Sequence, residues 1–462
     1  MFHLKLDILS KVLNVDSVKT PNIEQVYGVT TITKNIKPNI LFVAMYEKSY
    51  DKLIKVMSSM DFLILAKKEE YLKREEIFSP YLNKFIFVSD PSASYFNLMG
   101  YWKDQFPNVI SIGIGGTVGK TTTKEMLKTI CEIAGPSVFT HLNYNTRFGV
   151  AKAVSKLDAN TKYLICEMGT RGFGRLSEEC KINKPDYGVC LSVGATHASL
   201  LGGNINGVAK AESELIQYLS DKKYVLLNKD DSYSYEMRKL INTAKVQTFG
   251  KSNSDTFLVD YITQHDGLYI NLNILKNIHV NTYGIGNVYN VMAAVTLAKV
   301  IGISDLNILE GLEKYKPIGG RLKIFKTANN INVIDDAYNA NLDSMIQSLN
   351  VLKNLAQNSY KIVVIGDMLE LGEHEIDYHE KLNTYLKTIN ADMIIYVGQF
   401  VDLVTKGIES KYFYHYDSIN KDNKANVVGV ILNHIKPNAW ILFKGSNGTG
   451  IFNLVKEIEK WI

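Results

Sequence analysis

The sequence predicts an α/β protein built from three domains, and three observations support that prediction. The chain has 462 residues, the length of about three domains of roughly 150 residues each. Short apolar runs alternate with polar, helix-like stretches along the chain, as in units of parallel strands and crossover helices. One of these runs leads directly into a glycine-rich turn, which is the context in which phosphate-binding loops occur.

The first predicted domain covers residues 1–107 and is a small α/β unit. Its strand candidates are the apolar runs Ile40–Ala44, Phe62–Ala66 and Phe85–Val88. Polar stretches with helical character separate them, so we expect strands and helices to alternate.

The second predicted domain covers residues 108–318 and contains a mainly parallel sheet. Its strand candidates are Val109–Ile114, Tyr163–Cys166, Tyr187–Leu191 and Tyr224–Leu227. Helical segments lie between them, as crossover connections between parallel strands require. Proline and glycine residues near position 318 then predict a linker.

The third predicted domain covers residues 319–462 and is Rossmann-like. Its strand candidates are Ile331–Ile334, Lys361–Ile365, Met393–Val397 and Trp440–Phe443. Because helical stretches again separate them, an open α/β sheet is expected, although it contains no dinucleotide-binding fingerprint.

Composition excludes several classes of protein. Hydrophobic residues make up 46% and charged residues 21%, which is typical of a soluble globular protein. The net charge is only +5, and no long basic run predicts nucleic-acid binding. No apolar run approaches the roughly 20 residues of a membrane helix. None of the cysteines Cys131, Cys166, Cys180 and Cys190 forms a C-x-x-C pair. We therefore expect buried thiols and a cytoplasmic location.

The strongest motif is the segment Gly113–Thr123, which reads GIGGTVGKTTT. Glycines let successive backbone N–H groups point inward, and the following helix adds a partial positive charge for phosphate. Lys120 is expected to reach the β and γ phosphates, and the hydroxyl of Thr121 to bind Mg²⁺. The alternative is a glycine-rich turn with an incidental lysine, since Ile114 stands where the standard motif has its first glycine. The predicted nucleotide-binding residues of the loop are Gly116, Thr117, Gly119, Lys120, Thr121 and Thr122.

Short polar motifs follow the loop in a fixed order, several of them at the ends of strand candidates. They are HLNYNTRFG from His141, EMG from Glu167, GATH from Gly194, NKDD from Asn228, NVYN from Asn287, GR from Gly320, DDAYNAN from Asp335, GDMLELG from Gly366 and KGS from Lys444. In this order the motifs resemble the Mur ligase superfamily, and the last three resemble its MurF branch most. The resemblance is weak over the first hundred residues.

The resemblance implies an ATP- and Mg²⁺-dependent ligase that joins an amine to a carboxylate and releases ADP and phosphate. In such ligases the carboxylate attacks the γ-phosphate, and the amine then displaces phosphate from the resulting acyl phosphate. The MurF branch implies addition of a D-alanyl-D-alanine-like dipeptide to a peptidoglycan precursor for the cell wall. We expect a monomer with small-molecule partners, namely a carboxylate acceptor and an amino acid or dipeptide.

The resemblance also assigns roles to residues outside the loop. Glu167, His197 and Glu212 join Thr121 as expected magnesium ligands, and these three act in catalysis together with Lys120. Nucleotide contacts are expected from Asn287, Asn290, Arg321 and Asp336. Substrate contacts are expected from Asn143, Asn145, Tyr338, Asn339 and Asn341.

The chain departs from the family pattern at position 212. Most Mur ligases carry a carbamylated lysine there, and alignment through Glu214 puts Glu212 in its place. Both groups are anionic oxygen ligands, but the glutamate reaches roughly 3 to 4 Å less far, given bond lengths of about 1.5 Å. The prediction is a water-mediated contact with the metal or a shifted metal. The alternative is that Glu212 is a solvated helix residue.

The first predicted domain departs most. The D-S-R and G-x-x-x-D-G-H segments with which MurF ligases recognise uridine correspond to Ile32–Lys34 and Glu47–Lys52, and neither keeps the pattern. One alternative function is therefore a repurposed ligase acting on a carboxylate without UDP. A second, from another class, is a nucleotide-binding partner subunit without catalysis.

Overall fold

The computed structural model describes residues 2–16, 18, 20 and 22–461, and the chain divides into two compact units. The first unit comprises Met1–Gly113, Gly135–Met168 and Arg175–Asp186. The second comprises Ile114–Ala134, Gly169–Gly174 and Tyr187–Ile462. The predicted α/β class is confirmed, whereas the predicted domain boundaries at 107/108 and 318/319 remain predictions.

The N-terminal part of the first unit is a parallel sheet of four strands flanked by helices. Two short strands outside this sheet, β1 (Leu4–Lys5) and β2 (Gln25–Val26), pair antiparallel with each other. The strands of the sheet are β3 (Val29–Thr30), β4 (Leu41–Val43), β5 (Leu63–Ala66) and β6 (Phe85–Phe87). Its helices are α1 (Leu6–Leu13), α2 (Glu47–Leu53), α3 (Lys68–Leu72), α4 (Glu75–Phe78) and α5 (Pro91–Asp104). The sheet order is β3-β4-β5-β6, all parallel. The three predicted strands correspond to β4, β5 and β6.

The helix α5 shows how sequence positions an element in this region. Pro91 stands at its first turn, where a missing N–H costs nothing. The side chain of Asp90 accepts hydrogen bonds from Ser92 N and Ala93 N, which caps the helix.

The central elements begin with the strand, loop and helix predicted from the glycine-rich motif. The strands are β7 (Ile110–Gly115), β8 (Ser137–Phe139), β9 (Tyr163–Glu167), β10 (Tyr187–Cys190), β11 (Tyr224–Asn228), β12 (Lys245–Gly250), β13 (Thr256–Gln264), β14 (Gly267–Leu272) and β15 (Ile278–Val280). The helices are α6 (Lys120–Ala134), α7 (Arg147–Val154), α8 (Arg175–Asn183), α9 (Ile205–Leu219), α10 (Ser232–Glu236), α11 (Ile285–Val300) and α12 (Asp305–Glu313).

The central strands are mainly parallel within each unit, as predicted. In the first unit β8 pairs in parallel with β9. In the second unit β10, β11, β12 and β13 pair in parallel in that order. The antiparallel extension β13-β14-β15 was not predicted. A two-residue turn, His265-Asp266, joins β13 to β14, and Gln264 pairs with Gly267 on its two sides.

The C-terminal elements form a six-stranded α/β sheet. The strands are β16 (Lys323–Lys326), β17 (Asn332–Asp336), β18 (Lys361–Gly366), β19 (Met393–Val397), β20 (Tyr412–Tyr416) and β21 (Trp440–Lys444). The helices are α13 (Leu342–Ala356), α14 (Glu375–Lys387), α15 (Val401–Thr405), α16 (Lys424–His434) and α17 (Phe452–Trp461). The order is β16-β17-β21-β18-β19-β20. Every pairing is parallel except that of the edge strand β16, so the predicted Rossmann-like architecture is confirmed.

Two further sequence predictions concern burial and membranes. The four cysteines are all buried thiols, as predicted. Within the part of the chain that the structure describes, no helix is both long and apolar enough to cross a membrane.

Candidate active site

The glycine-rich loop between β7 and α6 requires glycine at two positions. Gly116 and Gly119 have φ values of +111° and +87°, which side chains other than glycine rarely adopt. A Cβ atom on Gly119 would also lie 2.2 Å from Oδ1 of Asn290. The loop can therefore approach α11 only with glycine at position 119.

Thr117 ties the loop to the segment that follows β10. Its backbone N–H donates to the carbonyl of Ser192 at 2.8 Å. Its hydroxyl accepts a hydrogen bond of 2.8 Å from Gly194 N. These contacts connect the loop to the start of the GATH motif, whose last residue is His197.

Lys120 and Thr121 start the helix α6 at the end of the loop. The ammonium group of Lys120 donates to the carbonyl of Gly116 and lies 3.5 Å from that of Thr117. The hydroxyl of Thr121 is buried and lies 3.4 Å from Nη2 of Arg321. The next residue, Thr122, is also buried. A cation, a hydroxyl and a guanidinium thus meet at the helix N-terminus, an arrangement suited to polyphosphate.

Glu212 lies on α9 with 3% of its surface exposed. Its Oε2 atom accepts a hydrogen bond of 2.7 Å from Gly116 N. Burial raises the pKa of the Glu212 carboxyl group, while Lys120 and the Gly116 N–H oppose that rise. The alternative that Glu212 is a solvated helix residue is therefore wrong. Whether it also binds magnesium remains a prediction.

His197 is held by a residue that the sequence analysis did not select for the site. Nδ1 of its imidazole is bonded to Oε2 of Glu370, a member of the GDMLELG motif. Burial lowers the pKa of His197, and Glu370 counteracts this effect. The two residues are 173 positions apart in the chain, so only their separate motifs were visible in the sequence.

The two asparagines predicted near the adenine are buried on α11. Nδ2 of Asn287 donates to Thr282 Oγ1 at 2.8 Å and to Tyr283 O at 2.9 Å. Its Oδ1 accepts from Asn290 Nδ2 at 2.8 Å. Asn290 in turn accepts from the hydroxyl of Thr123 on α6, at 3.3 Å. These bonds connect α11 to α6, the helix that follows the phosphate loop. Contact of the two asparagines with the adenine remains a prediction.

Asp336 makes its contacts within residues 319–462, which are called the C-terminal segment below. Its Oδ1 accepts from Leu322 N at 2.9 Å, and its Oδ2 accepts from Ser348 Oγ at 2.6 Å. Nζ of Lys444 lies 2.8 Å from the same Oδ2 atom. Lys444 also donates to the carbonyl of Asn339 at 2.6 Å. Burial lowers the pKa of Lys444, and Asp336 opposes this effect. The direct nucleotide contact predicted for Asp336 stays a prediction.

Two further predicted residues of the C-terminal segment, Arg321 and Asn341, contact Thr121 and Thr196. The guanidinium of Arg321 lies 4.1 Å from the centroid of the Tyr338 ring, a cation–π contact that orients it towards Thr121. Asn341 caps α13, and its Nδ2 donates to Thr196 Oγ1 at 3.3 Å.

In the first unit, Glu167 ends β9 and is buried. Its Oε1 accepts a hydrogen bond of 3.0 Å from Nδ2 of Asn145, and its backbone N–H donates to Thr140 Oγ1 at 3.0 Å. Asn143 belongs to the same turn, since its carbonyl accepts from Asn145 N at 2.7 Å. The structure therefore brings three predicted site residues together at the end of one strand.

Several predicted magnesium ligands have suitable donor chemistry. Among the described residues, no group of three or more histidine, cysteine, aspartate or glutamate side chains could hold a metal ion. Mg²⁺ in phosphate sites usually takes one or two protein oxygens and completes its shell with phosphate and water. The Thr121 hydroxyl at the helix N-terminus fits that mode of binding, and the magnesium role of Glu167 remains a prediction.

The loop, its lysine and threonine, and the arginine from a Rossmann-like segment define a nucleotide-dependent enzyme of the α/β class. Comparison with known families then gives the particular class. Residues 114–298 match the Mur ligase middle domain. Residues 320–447 match the glutamate ligase domain of Mur ligases. The chain belongs to the Mur ligase family, whose members are ATP-dependent C–N ligases.

Individual relatives agree with this assignment. The UDP-N-acetylmuramoyl-tripeptide--D-alanyl-D-alanine ligase of Buchnera aphidicola is 28% identical over 472 residues, covering 98% of this chain and 96% of that protein. The crystal structure of MurF from Acinetobacter baumannii has a TM-score of 0.85 at 24% identity, covering 100% of this chain and 99% of that one. MurF ligase from Thermotoga maritima, solved in complex with ADP, has a TM-score of 0.78 at 21% identity, covering 94% and 97%.

Proposed function

We propose that this protein is a MurF-type ligase. It adds a D-alanyl-D-alanine-like dipeptide to the peptide carboxylate of a UDP-N-acetylmuramoyl-tripeptide, using ATP and Mg²⁺, and acts as a cytoplasmic monomer in peptidoglycan synthesis. The observation that carries the proposal is the meeting of Lys120, Thr121 and Arg321 at the N-terminus of α6. The curated relative from Buchnera aphidicola carries the name of this activity.

The first half-reaction transfers the γ-phosphoryl group of ATP to the substrate carboxylate. An oxygen of the carboxylate forms the new bond to phosphorus while the bond to ADP breaks. Lys120 and Arg321 neutralise charge on the phosphate oxygens, and the loop amides align them. The Thr121 hydroxyl would hold Mg²⁺, which would supply further neutralisation of the polyphosphate.

The second half-reaction forms the amide. The free amine of the dipeptide attacks the acyl carbon, phosphate leaves, and the nitrogen loses a proton. Contacts between Arg321 and Thr121, and between Asn341 and Thr196, bring the C-terminal segment against the loop. Such closure keeps water away from the acyl phosphate, which would otherwise be hydrolysed.

The deciding experiment measures phosphate release with matched pairs of substrates. With ATP, Mg²⁺, UDP-N-acetylmuramoyl-tripeptide and D-alanyl-D-alanine together, we expect one phosphate per peptide product, identified by mass spectrometry. Omission of either the tripeptide or the dipeptide should stop product formation. Release with another carboxylate and amine, but not with this pair, would exclude the MurF-type activity.

A second candidate function, a ligase for an acceptor without UDP, is favoured by one observation in the first unit. The stretch that corresponds to the uridine-recognition loop forms the helix α2, where Asp51 pairs with Arg74 at 2.9 Å. Glu47 lies 3.7 Å from the same guanidinium. Calorimetry with UDP separates the two candidates, because the second one predicts weak or absent binding. A non-catalytic partner subunit would bind ADP yet release no phosphate with any pair.

A further inference from the structure

The bond between His197 and Glu370 joins two parts of the chain in an unusual backbone geometry. His197 has φ +65° and Glu370 has φ +63°. Residues other than glycine seldom occupy this left-handed region, and such conformations persist where the surroundings enforce them. The two left-handed residues are the ones whose side chains bond to each other.

The segment that carries Glu370 is anchored on its own side. Met368 N donates to Nε2 of the buried His379 at 3.0 Å, and Leu369 N donates to Ser446 Oγ at 2.9 Å. Both partners belong to the C-terminal segment. These two bonds hold the backbone next to Glu370 independently of its contact with His197.

The same segment also docks against the backbone around His197. Glu373 N donates to the carbonyl of Gly203 at 3.1 Å, and Ser199 N donates to the carbonyl of Glu370 at 3.4 Å. A Cβ atom on Gly372 would lie 2.4 Å from the Gly203 carbonyl oxygen, so glycine is needed for this approach. Three independent features thus support one interface.

We propose that Glu370 is a positioning residue that holds the imidazole of His197 as the tautomer with its proton on Nδ1. The other nitrogen, Nε2, then presents a lone pair to its ligand. This inference rests on the proposed function, because the resemblance gives His197 a magnesium-binding role. Carboxylates bonded to the far nitrogen of a ligating histidine fix its tautomer and orientation in this way.

The arrangement makes the state of His197 depend on docking. His197 lies within the matched middle domain, and Glu370 within the matched glutamate ligase domain. Only when the two are docked does Glu370 reach Nδ1. The same docked arrangement contains the contact of Arg321 with Thr121. Docking would therefore fix the tautomer of His197 and place Arg321 at the phosphate loop together.

The test is nuclear magnetic resonance of the full chain labelled with ¹⁵N-histidine. The protein has nine histidines, and the His197→Gln spectrum assigns the signal of interest. We expect the Nδ1-protonated tautomer in the wild type and its loss in Glu370→Asn. Asparagine tolerates the left-handed backbone but is too short to reach the ring. Glu370→Gln keeps an acceptor at the same length and should restore the tautomer.

Glu373→Gln is the matched control, because that side chain lies in the same segment and is exposed. Because Glu373 lies 3.6 Å from Nε2 of His374, the signals of His374 can shift, but those of His197 should be unchanged. In the same proteins, Glu370→Asn should raise the Mg²⁺ concentration for half-maximal phosphate release about tenfold. An unchanged tautomer in Glu370→Asn would overturn the proposal. A changed tautomer in a protein that does not ligate D-alanyl-D-alanine would instead contradict the proposed function alone.

Discussion

The backbone N–H of Gly116 donates a 2.7 Å hydrogen bond to Oε2 of Glu212. A buried carboxylate from α9 therefore holds the first turn of the phosphate loop, and the sequence predicts that it replaces a carbamylated lysine. Its two possible roles, as a hydrogen-bond acceptor for the loop and as an anion for magnesium, can be separated by mutation.

Replacement of Glu212 by alanine and by glutamine should have different effects on nucleotide binding. Glu212→Ala leaves the Gly116 N–H without its buried acceptor, so metal-free ADP should bind roughly tenfold more weakly. Glu212→Gln keeps an acceptor and should bind metal-free ADP normally, while it loses the charge and needs more Mg²⁺ for phosphate release. Calorimetry and Mg²⁺ titrations measure the two effects, with Glu214→Gln on the same helix as control. Identical Mg²⁺ curves for wild type and Glu212→Gln would leave the charge without a role.

Activity should not depend on bicarbonate. A carbamylated lysine forms from carbon dioxide, whereas Glu212 carries its carboxylate permanently. Phosphate release by protein prepared in degassed, bicarbonate-free buffer should equal that of protein supplemented with bicarbonate. Activation by bicarbonate would show that a lysine is modified after all, and Lys210 on the same helix would then be examined by mass spectrometry.

Lys120→Ala should abolish ligation without disturbing the fold. The ammonium group lies at the loop carbonyls, where it can neutralise the β and γ phosphates, and losses of roughly 10³-fold are expected for such a cation. Lys128→Ala, on the same helix, is the control and should keep near-normal rates. Circular dichroism checks the fold. Activity of Lys120→Ala within about tenfold of wild type would contradict the phosphate-loop assignment.

Arg321 should not be replaceable by lysine. Its guanidinium stacks on Tyr338 and reaches Thr121, and both contacts need a planar group. We expect Arg321→Lys and Arg321→Ala to lower the rate of phosphate release alike, by roughly 10²-fold. Lys323→Ala, two residues further on and partly exposed, serves as the comparison. Full activity in Arg321→Lys would mean that charge alone is sufficient.

Asp335 should give the protein a specific dependence of stability on pH. Burial raises the pKa of its carboxyl group to about 6, despite hydrogen bonds from Gly320 N and Ala337 N. The folded state then binds a proton that the unfolded state has already lost at the same pH. Stability contributed by the protonated group is present below pH 4 and is lost as the pH rises to about 6, by up to about 3 kcal/mol.

Melting temperatures of wild type and Asp335→Asn between pH 4 and pH 7 measure this effect. Relative to the variant, the wild type should gain stability as the pH falls, because the amide has no proton to bind. Asp377→Asn changes an exposed carboxylate and controls for the lost charge. A difference between wild type and Asp335→Asn that stays constant with pH would contradict the raised pKa.

The strands that the sequence predicted are those whose apolar residues are contiguous. All four residues of β5 are buried, and β18 and β19 are buried throughout. In contrast, β13 is exposed along most of its length, and Asp260 interrupts its run of apolar residues. A strand buried on both faces has a continuous apolar run that can be recognised in the sequence, whereas a solvated hairpin has none.

The site was predictable where its residues are neighbours in the chain. Lys120 and Thr121 follow from the spacing of one motif. The pairing of His197 with Glu370 joins residues 173 positions apart, and that of Gly116 with Glu212 joins residues 96 positions apart. Spacing indicated which residue types were present, but tertiary packing decides which of them touch.

The burial of all four thiols makes it possible to label introduced cysteines selectively. Burial raises the pKa of the Cys190 thiol, which keeps it in its unreactive protonated form. Maleimide dyes should therefore attach to cysteines introduced at exposed positions, such as Leu306, 79% exposed, and Ile376, 59% exposed. A donor and acceptor pair at these two sites would report in real time, by energy transfer, how the C-terminal segment moves as nucleotide binds.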